Sequence, residues 1–126
     1  GGAVEVTVMD VGNPQCALMV EEFPAGWQAL AAQIAGHPFF PRRTNVSLVK
    51  VVDRHTLEVR CFERGGGETM SSGTGSTGAA TAAILRGVAR SPVQIITPAG
   101  PIEVRWDEDV YLTGPAEIVA GGEFYY

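Results

Sequence analysis

Hydrophobic and polar residues alternate along much of this chain with a period of two, which is typical of β-strands that bury one face. Between residues 4 and 9 three valines alternate with polar residues and Met9, and we expect the valines to face the core. Alternation over residues 55–63 places Cys61 among the inward positions. The same criteria predict further strands at residues 16–20, 45–52, 93–97, 102–106, 110–113 and 116–119.

Two segments instead carry the spacing of helices. Apolar residues recur at helical intervals over residues 27–35, and Gly36 marks the end of that segment. Residues 74–86 are rich in alanine and apolar on almost every side, so we expect a helix that is buried all round. Because the strands come in runs, the predicted class is α+β, with a mixed or antiparallel sheet wrapped into a barrel-like form around this second helix.

Composition narrows the class of protein. The chain has 126 residues, of which 45% are hydrophobic, and this predicts one domain over residues 1–126. Nine basic residues stand against 14 acidic ones, and they occur singly apart from the pair Arg42-Arg43, so we expect no nucleic-acid partner. There is no apolar run of about 18 residues and no charged leader at the start, so we expect neither a membrane span nor a signal peptide.

The cysteines and histidines argue against a metal centre. Cys16 and Cys61 are far apart in sequence and form no CxxC pair, and the chain has only two histidines. We expect two buried free thiols in a cytoplasmic protein, while nothing supports a disulfide and no zinc site is expected.

Glycine-rich residues 63–87 concentrate the candidate chemistry. Ser72, Gly73 and Thr74 stand where the second helix should begin, and the free N–H groups of a helix start attract a carboxylate or phosphate. Glycines at 73, 75 and 78 match GxGxxG, but no strand leads directly into them and no acidic residue follows about 20 residues later. We therefore reject a dinucleotide site, and the lack of a GK[ST] ending rejects a P-loop.

Four polar residues flank the predicted strands, and they are informative because of their order along the chain: Asn13, Asn45, Glu63 and Arg64. Taken singly, each is ordinary turn or strand-end chemistry. Six segments, however, carry a resemblance. GNPQC, FPRRTNVSLVKV, VRCFERGGGET, SGTGSTGAA, PAGPIEVRW and TGPAEIV follow one another as similar segments do in the C-terminal half of diaminopimelate epimerase.

The resemblance implies an isomerase without pyridoxal or any other cofactor, built from two similar domains with the site in the cleft between them. Such an enzyme interconverts LL- and meso-diaminopimelate in lysine and peptidoglycan precursor synthesis. This chain resembles one domain, so its expected partners are an amino-acid substrate and an N-terminal domain that carries a catalytic cysteine. A homodimer is a further partner that we consider.

Site residues follow from the same resemblance. Gly73 and Thr74 would donate backbone N–H groups to the α-carboxylate of the substrate. The distal end of the substrate would be held by Asn13, Asn45 and Arg64, with Arg64 able to bind a carboxylate through two hydrogen bonds. Glu63 would bind the distal ammonium and, with Ser72, completes the candidate catalytic residues.

Two positions depart from the family pattern. Ser72 stands where the family has a cysteine, and a hydroxyl is a far weaker base than a thiol unless a neighbour activates it. Gln15 stands where GNPHC is usual, and glutamine cannot titrate.

A serine at position 72 has three possible explanations: a natural variant, an inactive relative or an engineered change. The second departure, at Gln15, favours natural divergence. We therefore keep two alternatives to the epimerase: a catalytically inactive amino-acid-binding module, and another isomerase of the wider fold that resembles proline racemase or phenazine-biosynthesis proteins.

Overall fold

The computed structural model describes residues 3–125 as one sheet with two helices. In chain order the elements are β1 (Thr7–Asp10), β2 (Pro14–Met19), α1 (Trp27–Ala35), β3 (Asn45–Asp53), β4 (Thr56–Glu63), β5 (Gly67–Thr69), α2 (Gly73–Leu85), β6 (Val93–Thr97), β7 (Gly100–Trp106) and β8 (Val110–Thr113).

The sheet is mixed. Its strand order is β1-β2-β3-β4-β6-β7-β8, and β5 pairs with β4 off this path. β2 runs parallel to β3, and β4 runs parallel to β6, whereas the other pairs are antiparallel. Each parallel pair is joined by a connection that contains a helix, as parallel pairing requires. The class is α+β, as the sequence predicts.

The sheet curls around α2 into a half-barrel. Helix α2 packs against β1, β2, β3, β4, β6, β7 and β8. Its four alanines at 79, 80, 82 and 83 are fully buried, and they share one apolar cluster with Val59 and Ile95 of the sheet. The expectation of a small-residue helix enclosed by the sheet is confirmed.

Glycines allow α2 to approach the sheet closely. A Cβ on Gly75 would lie 3.1 Å from Cys61 Sγ, and a Cβ on Gly78 would lie 3.1 Å from the Gln15 Cβ. A side chain at either position would require Cys61 or Gln15 to shift by a few tenths of an ångström, so the glycines let α2 lie close to β2 and β4. Helix α1 covers the opposite face of the sheet, where Trp27 and Ile34 pack with Leu48.

The orientation predicted for the first strand is wrong. Val4 is 51% exposed and Val8 is 47% exposed, whereas Met9 packs against the α2 cluster and accepts a hydrogen bond from Thr81 Oγ1 at 3.0 Å. The valine face of this segment lies on the α1 side, where Val6 is partly buried. Alternation determines that the two faces differ, but the position of α2 decides which face it covers.

Two strand assignments also differ from the sequence prediction. Residues 116–119 are exposed and form no strand. Conversely, β5 lies in a stretch for which the sequence predicts no strand. It forms a hairpin with β4 in which Gly65 and Gly67 have positive φ values of 78° and 79°. Such angles are open to glycine at little cost, so the glycines permit the turn.

Both cysteines are free and buried, as predicted. Burial raises the pKa of the Cys16 thiol to about 11, because the thiolate would lose its hydration in the core. The pKa of Cys61 is also raised, chiefly by burial.

The raised pKa of Cys16 predicts alkaline destabilisation of the fold. Below pH 9 the thiol is protonated in both states, but between about pH 9 and 11 only the unfolded chain releases the proton, so the free energy of unfolding falls. The full effect is roughly 2 to 3 kcal/mol. We expect Cys16→Ala to reduce the slope of unfolding free energy against pH, measured by urea denaturation. Equal slopes in the two proteins would show that Cys16 does not contribute.

Candidate functional site

Sheet topology gathers the predicted site residues at one edge. β2 and β3 run parallel and begin at Pro14 and Asn45, and β4 runs the opposite way and ends at Glu63. The starts of β2 and β3 therefore meet the end of β4. The first turn of α2 reaches the same edge, where Ser47 Oγ donates to the Gly75 carbonyl at 3.3 Å.

Ser72 caps α2. Its backbone is extended, with φ −142° and ψ 123°, and its hydroxyl oxygen accepts a hydrogen bond from the Gly75 N–H at 3.0 Å. The Ser72 carbonyl accepts the N–H of Ser76 at 2.9 Å. This is the ordinary geometry of a serine N-cap.

The N–H groups of Gly73 and Thr74 remain available. Both residues are exposed, and no described residue accepts a hydrogen bond from either backbone N–H. Because the positive end of the helix dipole is added to these free donors, the start of α2 can hold an anion. Leu112 of β8 forms an apolar flank here, since a Cβ on Gly73 would lie 3.0 Å from Leu112 Cδ2.

Asn13 lies beside this helix start. Its Nδ2 donates to Thr74 Oγ1 at 3.4 Å, and its Oδ1 accepts from Gln15 Nε2 at 2.9 Å. Gln15 is 2% exposed, and its Oε1 has no hydrogen-bond partner among the described residues. Gln15 thus orients Asn13, a positioning role that the sequence comparison at this position did not suggest.

A hydrogen bond joins the side chain of Asn45 to the backbone of Arg64. The Asn45 Oδ1 accepts the backbone N–H of Arg64 at 2.8 Å, and Arg64 Nη1 donates to the carbonyl of Arg42 at 3.3 Å. The Arg64 guanidinium forms no ion pair with an acidic residue in the part of the chain that the structure describes. Its positive charge is therefore not neutralised by a described carboxylate, although Nη1 is hydrogen-bonded to the Arg42 carbonyl.

Glu63 lies at the same edge, half-buried at the end of β4. Within the described range its carboxylate makes no hydrogen bond to Ser72 or Arg64. The pKa of the Cys61 thiol is raised mainly by burial and further by the negative charge of Glu63. Glu63 is thus close to the residues beneath the helix start without contacting the Ser72 hydroxyl.

Neither a metal-binding cluster nor a membrane-spanning helix is found among residues 3–125. These residues contain no group of three or more His, Cys, Asp or Glu side chains placed to share a metal ion. Within the same range no helix is long and apolar enough to cross a membrane.

The sequence profile described as diaminopimelate epimerase matches residues 7–119. The chain belongs to the diaminopimelate epimerase family.

Curated relatives are similar over almost the whole chain. A diaminopimelate epimerase from Pelotomaculum thermopropionicum is 41% identical over 130 residues, which cover 100% of this chain and 46% of the relative. One from Aromatoleum aromaticum is also 41% identical, over 98% of this chain and 46% of the relative. The chain therefore spans about half the length of the curated relatives that it matches.

Solved structures support the fold. A phenazine biosynthesis protein of the PhzF family from Enterococcus faecalis superposes with a TM-score of 0.60 at 18% identity, over 83% of this chain and 39% of that protein. A Bacillus anthracis protein of the same family gives a TM-score of 0.59 at 19% identity, over 81% of this chain and 34% of that protein. At these identities the likeness concerns the fold alone.

Ser72 stands where the diaminopimelate epimerase pattern has a cysteine, so the contacts of its hydroxyl bear on whether it can act as a base. The hydroxyl accepts the Gly75 N–H, and no titratable side chain of a described residue is hydrogen-bonded to it. The nearest thiol is that of Cys61, beneath the first turn of α2. Its Sγ and the Ser72 side chain would each lie 3.1 Å from a Cβ on Gly75. Cys61 is 3% exposed and its pKa is raised, chiefly by burial, so it is a poor substitute for an exposed thiolate.

The capping hydrogen bond gives a prediction for stability. Replacing Ser72 by alanine should lower the free energy of unfolding by about 1 kcal/mol, whereas glycine should cost only a few tenths. Urea denaturation measures both. Ser71→Ala is the matched control, because the Ser71 side chain makes no hydrogen bond among the described residues. Equal losses at positions 71 and 72 would show that the cap contributes nothing.

Proposed function

We propose that this chain supplies one face of a cofactor-independent amino-acid epimerase site, with LL- and meso-diaminopimelate as substrates. The observation that carries the proposal is the convergence of the free α2 N–H groups, Asn13, Asn45 and Arg64 at one edge of a fold that belongs to this family. The other face would come from the remaining half of the longer protein, since relatives are about twice as long.

The chemistry requires a proton to leave the α-carbon and another to return from the opposite side. An α-proton is acidified when the adjacent carboxylate is held by strong dipoles, because these stabilise the negative charge of the carbanion. In this proposal the N–H groups of Gly73 and Thr74 bind that carboxylate from the start of α2. Asn13 is positioned to add a side-chain amide beside them, since it already contacts Thr74.

The far end of the substrate would lie toward the β3 and β4 ends. Arg64 can bind its carboxylate through two parallel hydrogen bonds. Asn45 uses its Oδ1 on the Arg64 backbone, and this leaves its Nδ2 as a donor to the ligand. Glu63 would pair with the distal ammonium, and no metal or organic cofactor enters the proposal.

Ser72 occupies the acid/base position on this face. To take a proton from carbon it would first have to lose its own, and its observed partner is a hydrogen-bond donor, not a base. This observation favours a second candidate function: a relative that binds the amino acid without epimerising it. Gln15 adds to the case, because an amide in that place cannot transfer a proton.

The isolated chain should not catalyse exchange of the α-proton, because only one face of the site is present. In D₂O, NMR of LL-diaminopimelate with residues 1–126 alone should show no loss of the α-proton signal, and the full-length protein is the comparison. Exchange catalysed by the isolated chain would contradict the two-face proposal.

Ser72→Cys in the full-length protein should raise the epimerisation rate. A thiol at a helix start has a lowered pKa and is a much stronger base at neutral pH than a hydroxyl, and a single general base contributes roughly a hundredfold or more. Epimerisation followed by circular dichroism measures this. Ser71→Cys is the control, since it adds a thiol one residue before the cap. Equal rates in Ser72→Cys and the native protein would mean that residue 72 is not the acid/base.

Calorimetry with meso-diaminopimelate separates the two candidate functions. Binding with turnover in the native full-length protein supports the epimerase. Binding without turnover in the native protein, together with turnover in Ser72→Cys, supports the second function, in which the protein binds the amino acid without epimerising it.

A further inference from the structure

Gln15 is buried beneath the candidate site, near the start of β2. Its side chain is 2% exposed, and its Oε1 has no hydrogen-bond partner among the described residues. A buried amide oxygen without a partner lowers the stability of a fold. The contact that the other end of this amide makes is therefore the feature of Gln15 that bears on function.

Hydrogen bonds run in a chain from Gln15 to the start of α2. Gln15 Nε2 donates to Asn13 Oδ1 at 2.9 Å, and Asn13 Nδ2 donates to Thr74 Oγ1 at 3.4 Å. Because the Thr74 oxygen accepts from Asn13, its own hydrogen can donate to a ligand. The chain thus directs its donors from the core toward the backbone N–H groups of Gly73 and Thr74.

The buried end of this chain determines its direction. An asparagine amide can turn over and exchange its oxygen and its NH₂ group with little change of shape. If Asn13 were reversed, Gln15 would have to present its oxygen to Asn13 and place its NH₂ group where Oε1 now lies without a partner. An unpaired carbonyl oxygen is tolerated more readily than unpaired N–H donors, so the observed direction is favoured.

Packing holds the Gln15 side chain in place. A Cβ on Gly78 would lie 3.1 Å from the Gln15 Cβ and 3.2 Å from its Cγ, so the side chain lies directly against the backbone of α2. In the sheet Gln15 pairs with Met9 on one side and with Asn45 on the other. Neither neighbour is charged, and α2 contains no charged residue, so nothing on these elements attracts the other end of the amide toward Asn13.

We propose that Gln15 is a positioning residue that makes the start of α2 a site lined by hydrogen-bond donors. The proposal rests on the proposed function, since it takes this helix start as the place of a substrate carboxylate. With its amide held by Gln15, Asn13 keeps its oxygen away from the ligand, and the Thr74 hydroxyl becomes a third donor beside the two backbone N–H groups. Glutamine does not titrate, so the direction of the chain does not change with pH.

Gln15→Glu tests the direction without a change of size. An ionised carboxylate only accepts hydrogen bonds, so Asn13 must turn over and point its oxygen at the ligand. In the full-length protein we expect calorimetry at about pH 8.5 to show an affinity for meso-diaminopimelate about tenfold or more below that of the native protein. The protonated carboxyl donates again, and burial raises its pKa, so at about pH 5.5 the affinity should return to within roughly threefold of native.

Each affinity is expressed as a ratio to the native protein at the same pH. The charged residue beside this position in the strand register is Asp10, whose Oδ1 accepts the Gly12 N–H at 2.7 Å, and it is present in both proteins. Gln33→Glu is the matched control, because it places the same charge on an exposed position of α1 and should leave the ratio near one at both pH values. A ratio for Gln15→Glu that is the same at both pH values would overturn the proposal.

Gln15→Met separates positioning from a structural role. Methionine has a similar size and lacks both the donor and the unpartnered oxygen, so the free energy of unfolding in urea should stay the same or rise. The affinity for meso-diaminopimelate should still fall about threefold or more, because Asn13 is no longer held. A fall in stability together with an unchanged affinity would contradict the positioning role.

The positioning role and the proposed function can fail separately. If the native protein does not bind meso-diaminopimelate, the proposed function fails, and NMR relaxation of the Asn13 side-chain amide without ligand still tests the role of Gln15. The amide should be restrained in the native protein and mobile on the picosecond to nanosecond timescale in Gln15→Met. Equal mobility of the Asn13 amide in the two proteins would overturn the proposal.

Discussion

Close contact between α2 and the concave face of the sheet is the constraint on which the rest of this structure depends. The contact is close because Gly75 and Gly78 have no Cβ, which would lie 3.1 Å from Cys61 Sγ and from Gln15 Cβ, respectively. Alanines continue the same narrow helix, so the sheet can curl around it. With the axis of α2 held in this way, its first turn emerges at the edge where β2 and β3 begin and β4 ends. The unpaired N–H groups of Gly73 and Thr74 therefore lie near the polar side chains there.

Ser72 shows how fold and chemistry place different demands on one atom. As a cap, the hydroxyl oxygen must accept a hydrogen bond from Gly75, and serine is among the best residues for that purpose. As an acid/base it would need to exchange a proton at neutral pH, which a thiol at a helix start does far better. The serine therefore satisfies the cap of α2, whereas a thiol would better suit the proton transfer that we propose for this position.

Charge in this protein is arranged locally. The chain is acidic overall, yet three arginines line a pocket next to the candidate site with one aspartate among them. Arg42 and Arg64 are far apart in sequence but are joined by a hydrogen bond across the start of β3. Basic residues are thus gathered locally at the edge where the candidate site lies.

The sequence by itself determined the elements whose signal is local. The two helices, the inward positions of β4 and the burial of α2 follow from periodicity and residue size. Six segments in order between residues 12 and 119 indicated the family and the candidate site residues. Tertiary structure alone decided which face of β1 meets α2, that residues 67–69 pair with β4, and that Gln15 orients Asn13. It also brought Arg42 and Arg43 beside Arg64. These features depend on contacts between segments far apart in the chain, and no local pattern of hydrophobicity or backbone preference encodes such contacts.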